Sequence, residues 1–257
     1  MIIQTNRLLY HAAPSWRLAG FVFFSTICSY NFHWWLTPRS QNASRRVLWT
    51  QRHKPLHFIL YLVGACGACI YFFSLREHWL ALCFGVFVTF LYSAPKLPQP
   101  VFRSLKKIAV GKTFFLAFVW MYVTTMLPVI LAGAHWDGEA ILFVCSRFFL
   151  IYAICMLFDF RDREDDKADG IRSLITYFSE KGITALFIVS LLLFAAAGIG
   201  LYAYQVPVLT IFLLLVPGII LAALYRTSRR NFSDYLYYIV LDGLMMFSGL
   251  LLLLSGI

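Results

Sequence analysis

The sequence of 257 residues has few charged side chains, since Asp, Glu, Lys and Arg make up only 13% of it. Soluble domains carry about 25% charged residues, whereas 61% of this chain is hydrophobic. A soluble globular protein is therefore excluded. The chain also lacks Ser/Gly-rich linkers and low-complexity runs, so nothing indicates a separate soluble domain. We predict an all-α polytopic membrane protein in which residues 1–257 form one transmembrane domain.

The apolar residues are gathered into eight long runs. A helix crosses the roughly 30 Å hydrocarbon core at about 1.5 Å per residue, so runs of about 20 residues are long enough to span a bilayer. We predict eight transmembrane helices at Trp16–Thr37, Leu56–Leu75, His78–Ser93, Ile108–Gly133, Glu139–Phe158, Ile183–Tyr204, Val206–Tyr225 and Tyr235–Ile257.

Basic residues are concentrated in alternate connections between these runs, which sets the expected orientation in the membrane. They lie after the first, third and seventh runs, at Arg39, Arg45, Arg46, Arg52, Lys54, Lys96, Arg103, Lys106, Lys107, Arg226, Arg229 and Arg230. Under the positive-inside rule these connections face the cytoplasm. We expect an integral protein of a bacterial inner or plasma membrane, with its active face cytoplasmic. The N-terminus does not resemble a secretory signal peptide.

Acidic residues are scarce, yet six of the twelve fall within residues 159–169. On a helix at 100° per residue, Asp159, Asp162 and Asp166 share one face, whereas Arg161 is expected to point elsewhere. A helix C-terminus disfavours negative charge by a few tenths to ~1 kcal/mol each, and like charges one turn apart repel. A bound cation would relieve both penalties, and Mg²⁺ prefers oxygen ligands and commonly bridges to phosphates.

A second interpretation of this acidic segment stays open. Charge runs are commonly solvated surfaces, and the interleaved Arg161, Arg163 and Lys167 would then neutralise the carboxylates. The one-sided spacing of the aspartates at a helix end favours the cation site over this alternative.

Two segments together resemble the UbiA-type intramembrane prenyltransferase superfamily. "DFRDREDDKADGIRSL" is similar to its second aspartate-rich motif, in which D-x-x-D-x-x-x-D precedes a Gly and a Ser/Thr-Leu pair. "LYSAPKLPQPVFRSLKKIAVGKTFFLAFVW" resembles the family segment in which Tyr-Ser-x-Pro precedes a basic run and a Gly that opens the next helix. The resemblance spans most of the chain.

This resemblance implies a UbiA-type helical bundle, nine helices in the family, around a cavity open to the bilayer. It also implies an enzyme that transfers an alkyl group other than methyl. Aspartate-rich motifs hold Mg²⁺ that binds an isoprenyl diphosphate, and a lipophilic acceptor captures the allylic cation formed when diphosphate leaves. In this chain Asp159, Asp162 and Asp166 are the implied catalytic and metal-binding residues.

The first aspartate-rich motif of the family is degenerate here. It should fall at "SYNFHWWLTPRS", where Asn31 matches but Phe32, Trp35 and Arg39 occupy the acid positions. One Mg²⁺ rather than two is therefore expected, with Asn31, His33 and Arg39 contacting phosphate or acceptor. An interfacial aromatic-belt position is the alternative for His33.

The alignment of this motif with the second family helix has a further implication. With this alignment, no segment of the sequence corresponds to the first family helix. Either the start of the sequence is placed too far downstream, or this protein lost a helix.

Further substrate contacts are implied by the other matched segments. They are Tyr92, Ser93 and Lys96 in the Tyr-Ser-x-Pro segment, Lys112 near the start of the next helix, and Arg172 in the second motif. For Lys112 the alternative is a side chain that extends to the membrane interface.

Three functional classes are compatible with these features. The first is a Mg²⁺-dependent prenyltransferase whose partners are an isoprenyl diphosphate, a lipophilic acceptor and the bilayer, with no nucleic acid. The second is a non-catalytic homologue that binds a polyprenyl lipid or a partner membrane enzyme. The third is a transporter, favoured only by the number of helices. The acceptor and the oligomeric state are left open.

Two charges fall inside predicted spans, where an unpaired Arg or Asp costs about 2.5–3.5 kcal/mol on insertion scales. We expect Arg147 and Asp242 to approach each other across the bundle or to face a shared polar cavity. Separate hydrogen bonds to backbone carbonyls are the alternative.

Overall fold

A computed structural model describes residues 1–10, 15–37, 45–94, 97, 112–163 and 174–255, and these residues form helices and connections without a strand. The helices are α1 (Ile2–Tyr10), α2 (Trp16–Trp35), α3 (Arg45–Arg52), α4 (Lys54–Ser74), α5 (Trp79–Ser93), α6 (Lys112–Met121, continued by a π-helical segment Tyr122–Met126 and by Leu127–Leu131), α7 (Gly138–Arg161), α8 (Leu174–Tyr177), α9 (Glu180–Gly200, continued by a 3-10 turn Leu201–Tyr204), α10 (Val208–Ser228) and α11 (a π-helical segment Leu236–Leu241 followed by Asp242–Leu254).

The described part of each of the eight predicted spans contains a helix. Within the described ranges, six helices are long and apolar enough to cross a membrane, namely α4, α6, α7, α9, α10 and α11. The other two predicted spans correspond to α2, with 20 residues, and α5, with 15. The prediction of an all-α polytopic membrane protein is confirmed.

The helices form two compact units. One contains α2 to α5, and the other contains α1 together with α6 to α11. In the first unit, α2 and α4 pack closely because glycines lie at their interface: a Cβ added at Gly64 of α4 would lie 2.5 Å from the backbone nitrogen of Cys28 in α2. The grouping of residues 1–257 into a single functional domain stays a prediction.

Helix α1 was not predicted from the sequence. Its buried residues are Gln4, Thr5 and Asn6, so its inward face is polar and gives no hydropathy signal. Gln4 donates from Nε2 to Ser248 Oγ of α11 at 3.1 Å, and Thr5 donates from Oγ1 to the Thr124 carbonyl oxygen of α6 at 3.0 Å. Side-chain hydrogen bonds therefore fix α1 against the second unit.

The buried Arg147 does not pair with Asp242, so that expectation is wrong. Arg147 is 2% exposed and donates from Nη1 to Ser248 Oγ at 3.1 Å and from Nη2 to the Met245 carbonyl oxygen. The alternative of a backbone carbonyl partner holds for Arg147. Asp242 is exposed on α11, and no ion pair between described residues includes it.

Helix α7 is the central element of the second unit and positions the candidate site. It begins after Asp137, whose Oδ1 accepts a hydrogen bond from the Ala140 backbone N–H at 2.9 Å. Buried residues from Leu150 to Leu157 pack into a core shared with α6, α9, α10 and α11. The helix ends at Arg161, and Asp162 is its C-cap residue. The second aspartate-rich motif therefore begins in the last turn of the most buried helix.

Candidate active site

Asp159 lies in the last turn of α7 with only 5% of its surface exposed. Thr113, in the first turn of α6, is also buried and donates from Oγ1 to Asp159 Oδ2. A buried carboxylate requires hydrogen-bond donors or cations, since burying an unpaired charge is costly. The Thr113 hydroxyl fixes the orientation of Asp159, a role that the sequence did not predict.

Aromatic rings lie along α7 toward the interior from Asp159. Tyr152 is seven residues earlier, two turns along the same face, and stacks on Phe148 with ring centroids 5.8 Å apart and an interplanar angle of 10°. Phe114, the residue after Thr113, packs edge-on against Phe148 at 5.0 Å. The rings of Phe114, Phe148 and Tyr152 therefore form a packed cluster on the interior side of Asp159 along α7.

Asp162 forms an ion pair with its neighbour Arg161. The Arg161 Nε lies 2.7 Å from Asp162 Oδ1 and Nη2 lies 3.2 Å from Oδ2, a two-point geometry. The side chain of Asp162 is 31% exposed and that of Arg161 only 8%. The expectation that Arg161 points away from the aspartates is wrong, because the helix ends here and the guanidinium turns toward the C-cap carboxylate.

Three aromatic rings surround the Arg161 guanidinium. Its carbon lies 4.7 Å from the ring centroid of Tyr237, 5.0 Å from Tyr238 and 5.2 Å from Phe158, within the range of cation–π attraction. Nη2 also donates to the Tyr238 hydroxyl oxygen at 3.1 Å. Both tyrosines lie in the π-helical segment of α11, and Tyr237 donates in turn to the Ser228 carbonyl oxygen at 2.7 Å. No pattern in the sequence predicts this cage.

The α2–α5 unit contains the predicted Asn31, His33, Tyr92 and Ser93. Asn31 donates from Nδ2 to the Ile27 carbonyl oxygen at 2.8 Å, and its Oδ1 accepts from Nδ1 of His57 at 2.8 Å. His57, which the sequence analysis missed, is 7% exposed. Its Nε2 is buried without a hydrogen-bond partner among the described residues.

The other predicted residues of this unit also lie together. The His33 ring stacks on Tyr92 with centroids 5.2 Å apart, and its Nδ1 lies 3.4 Å from Ser93 Oγ. Asn31 and His33 are thus fixed by polar contacts within their own unit.

Several predicted site residues lie outside the described part of the chain. These are Arg39, Lys96, Asp166 and Arg172. The backbone of Lys112 begins α6, but its side chain is also outside the described part of the structure. In the described ranges, no three His, Cys, Asp or Glu side chains are grouped as a metal site would require. Asp166, the third aspartate of the predicted set, lies outside the described residues, so this statement does not include it.

The fold and site together define a polytopic helical membrane protein with a carboxylate pair at the end of a central helix. Residues 38–238 match the model of the UbiA prenyltransferase family, and the chain belongs to this family. The predicted family membership is confirmed. Neither a curated protein nor a solved structure matches the chain.

Membership of this family implies a general role in prenyl transfer within the membrane. The family generally uses Mg²⁺ with prenyl diphosphates. The matched range includes Arg39, Tyr92, Ser93, Lys96, Lys112, Asp159, Asp162, Asp166 and Arg172. Asn31 and His33 lie before its first residue.

Proposed function

We propose that this chain is a Mg²⁺-dependent enzyme that transfers an isoprenyl group from an isoprenyl diphosphate to a lipophilic acceptor. The observation that carries the proposal is the buried Asp159 carboxylate, oriented by Thr113 at the end of α7 and followed three residues later by Asp162. A cation stabilises a buried acid at a helix C-terminus. Asp162, whose side chain is 31% exposed, is the second acid at this helix end.

The donor set suits the proposed metal. Asp159 and Asp162 offer carboxylate oxygens, the ligands that Mg²⁺ prefers, and Asp166 would complete the set. Mg²⁺ bound there would neutralise charge on the leaving diphosphate. Because the first aspartate-rich motif is lost, basic residues would contribute more to binding the diphosphate, and Arg39, Lys96, Lys112 and Arg172 are the proposed contacts.

The residues around the carboxylates suit the organic half of the reaction. The C–O bond to diphosphate breaks, the acceptor forms the new bond to the allylic carbon, and the acceptor loses a proton. Phe114, Phe148 and Tyr152 form a packed cluster of rings, which would exclude water and stabilise an allylic cation.

The remaining predicted contacts belong to the same proposal. Asn31, His33, Tyr92 and Ser93 are the further proposed contacts to phosphate or acceptor, on the resemblance of their segments to the family. The site would face the cytoplasm of a bacterial cell.

The test is a Mg²⁺ titration of the purified full chain in nanodiscs, with labelled isoprenyl diphosphates and a membrane lipid extract as the source of acceptor. We expect Mg²⁺-dependent release of pyrophosphate. Asp162→Asn should lower Mg²⁺-dependent diphosphate binding by more than about tenfold, whereas Glu164→Gln, at a position outside the D-x-x-D-x-x-x-D spacing, should change it little.

Two results would contradict the proposal. Equal effects of the two substitutions would refute the site assignment. Binding of isoprenoid lipid that is unchanged by EDTA, with no release of pyrophosphate, would favour the non-catalytic homologue.

A further inference from the structure

Arg161 occupies the carboxylate that a metal would use. Its two-point contact with Asp162, at 2.7 and 3.2 Å, engages both carboxylate oxygens. Charge-assisted two-point pairs of this kind are among the stronger hydrogen-bonded contacts in proteins. A divalent cation at Asp162 would have to displace the guanidinium, since two positive charges a few ångströms apart repel.

The surroundings of Arg161 allow the guanidinium to change partner while it keeps contact with aromatic rings. Phe158, Tyr237 and Tyr238 present ring faces at 4.7 to 5.2 Å, and ring faces attract a cation in many orientations. Nη1 is buried and has no hydrogen-bond partner within the described residues. The guanidinium is therefore held firmly by rings but is incompletely hydrogen-bonded.

A second acid lies next to this cage. Asp242 is four residues after Tyr238, about one helical turn further along α11, and the Tyr238 ring lies against the Arg161 guanidinium. Asp242 is exposed on a membrane-spanning helix, where an acidic side chain is costly unless it pairs with a positive charge. Arg161 is thus paired with one carboxylate, and a second acid lies about one helical turn from a ring that contacts its guanidinium.

We infer that Arg161 is a positioning residue that neutralises Asp162 in the metal-free protein and transfers to Asp242 when a divalent cation binds at Asp162. This inference rests on the proposed function. The transfer raises the number of neutralised carboxylates from one to two, because the cation replaces Arg161 at Asp162 while Arg161 pairs with Asp242. It also gives a role to Asp242, whose expected partner Arg147 bonds instead to Ser248 and Met245.

The exchange predicts the direction in which each substitution changes the affinity for the metal. A purely structural role of Arg161 does not predict these directions. Removing Arg161 removes the competitor for Asp162, so metal should bind more tightly in the absence of substrate. Removing Asp242 takes away the second partner of Arg161, so metal should bind more weakly. Without Arg161, the loss of Asp242 should have no further effect through this route.

The experiment measures Mn²⁺ binding by electron paramagnetic resonance to the full chain in nanodiscs, without isoprenyl diphosphate. We expect Arg161→Gln to bind Mn²⁺ about threefold to tenfold more tightly than wild type, and Asp242→Asn to bind it more weakly by a similar factor. The double variant should match Arg161→Gln. Arg163→Gln removes a charge two residues away and is the matched control, whose effect should be clearly smaller.

The outcomes separate this inference from the proposed function. Loss of Mn²⁺ binding in Asp159→Asn, together with unchanged or weaker binding in Arg161→Gln, would overturn the exchange and leave the metal site standing. An Asp242→Asn effect that persists in the Arg161→Gln background would also overturn it. Absence of Mn²⁺ binding in wild type, Arg161→Gln and Arg163→Gln alike would overturn both proposals.

Discussion

The guanidinium of Arg147 lies 3.1 Å from the hydroxyl oxygen of Ser248, and the same hydroxyl oxygen lies 3.1 Å from Nε2 of Gln4. One serine of α11 thus connects a fully buried cation of α7 with the polar face of α1. In a bilayer each of these groups would otherwise lack a partner, at a cost of several kcal/mol. Ser248 therefore links α1, α7 and α11 through side-chain hydrogen bonds.

Ser248→Ala should lower the free energy of unfolding by about 1–3 kcal/mol, because it leaves donors of Arg147 and Gln4 without an acceptor. Thermal unfolding in nanodiscs would measure the change. Ser190→Ala is the matched control, since Ser190 is equally buried but bonds only to the Leu186 carbonyl oxygen one turn earlier on its own helix. A control as destabilised as Ser248→Ala would show that Ser248 has no special role.

Thr113→Val should weaken divalent-metal binding by about tenfold while leaving the fold intact, because the hydroxyl that orients Asp159 is lost. Thr125→Val is the matched control on the same helix. Thr125 is 1% exposed and its hydroxyl has no hydrogen-bond partner among the described residues, so its loss should leave metal binding unchanged. Isothermal titration with Mg²⁺ would compare the two, and equal affinities would contradict the orienting role of Thr113.

Asn31→Leu and His57→Phe should each destabilise the α2–α5 unit, since each leaves the other partner of a 2.8 Å hydrogen bond unsatisfied. The double variant should be less destabilised than the sum of the single variants, with a coupling free energy of about 1 kcal/mol. A double-mutant cycle of unfolding free energies measures this coupling. Strict additivity would mean that the contact contributes nothing to stability.

Gly64→Ala should destabilise the protein by about 1–3 kcal/mol. The new Cβ would lie 2.5 Å from the Cys28 nitrogen and 2.9 Å from the Phe24 carbonyl oxygen, and backbone atoms of a packed helix cannot move aside easily. Gly243→Ala meets nothing within 4 Å and should instead stabilise α11 by up to about 1 kcal/mol. Thermal unfolding of both variants checks the opposite signs, and a neutral Gly64→Ala would refute the close α2–α4 packing.

Much of the candidate site was predictable from the sequence. Asp159 and Asp162 were identified because their spacing and the adjacent motif are local features of the chain, and the structure places both at the end of α7. Arg161 was assigned to the wrong direction, because the helical wheel assumes a helix that continues and α7 ends at that residue. Thr113 and His57 were missed, since one hydroxyl or one imidazole in an apolar run carries no pattern.

The sequence by itself determined that this chain is a helical membrane protein, because length and apolar composition suffice to specify a span in lipid. Its family was indicated by the resemblance of two local motifs. It also determined where acids and bases lie along each helix. Only the tertiary structure decided which polar groups meet: Arg147 bonds to Ser248 and Met245 rather than pairing with Asp242, and α1 packs through a polar face. The reason is that a hydrogen bond depends on the rotation and register of two helices, which the composition of neither helix specifies.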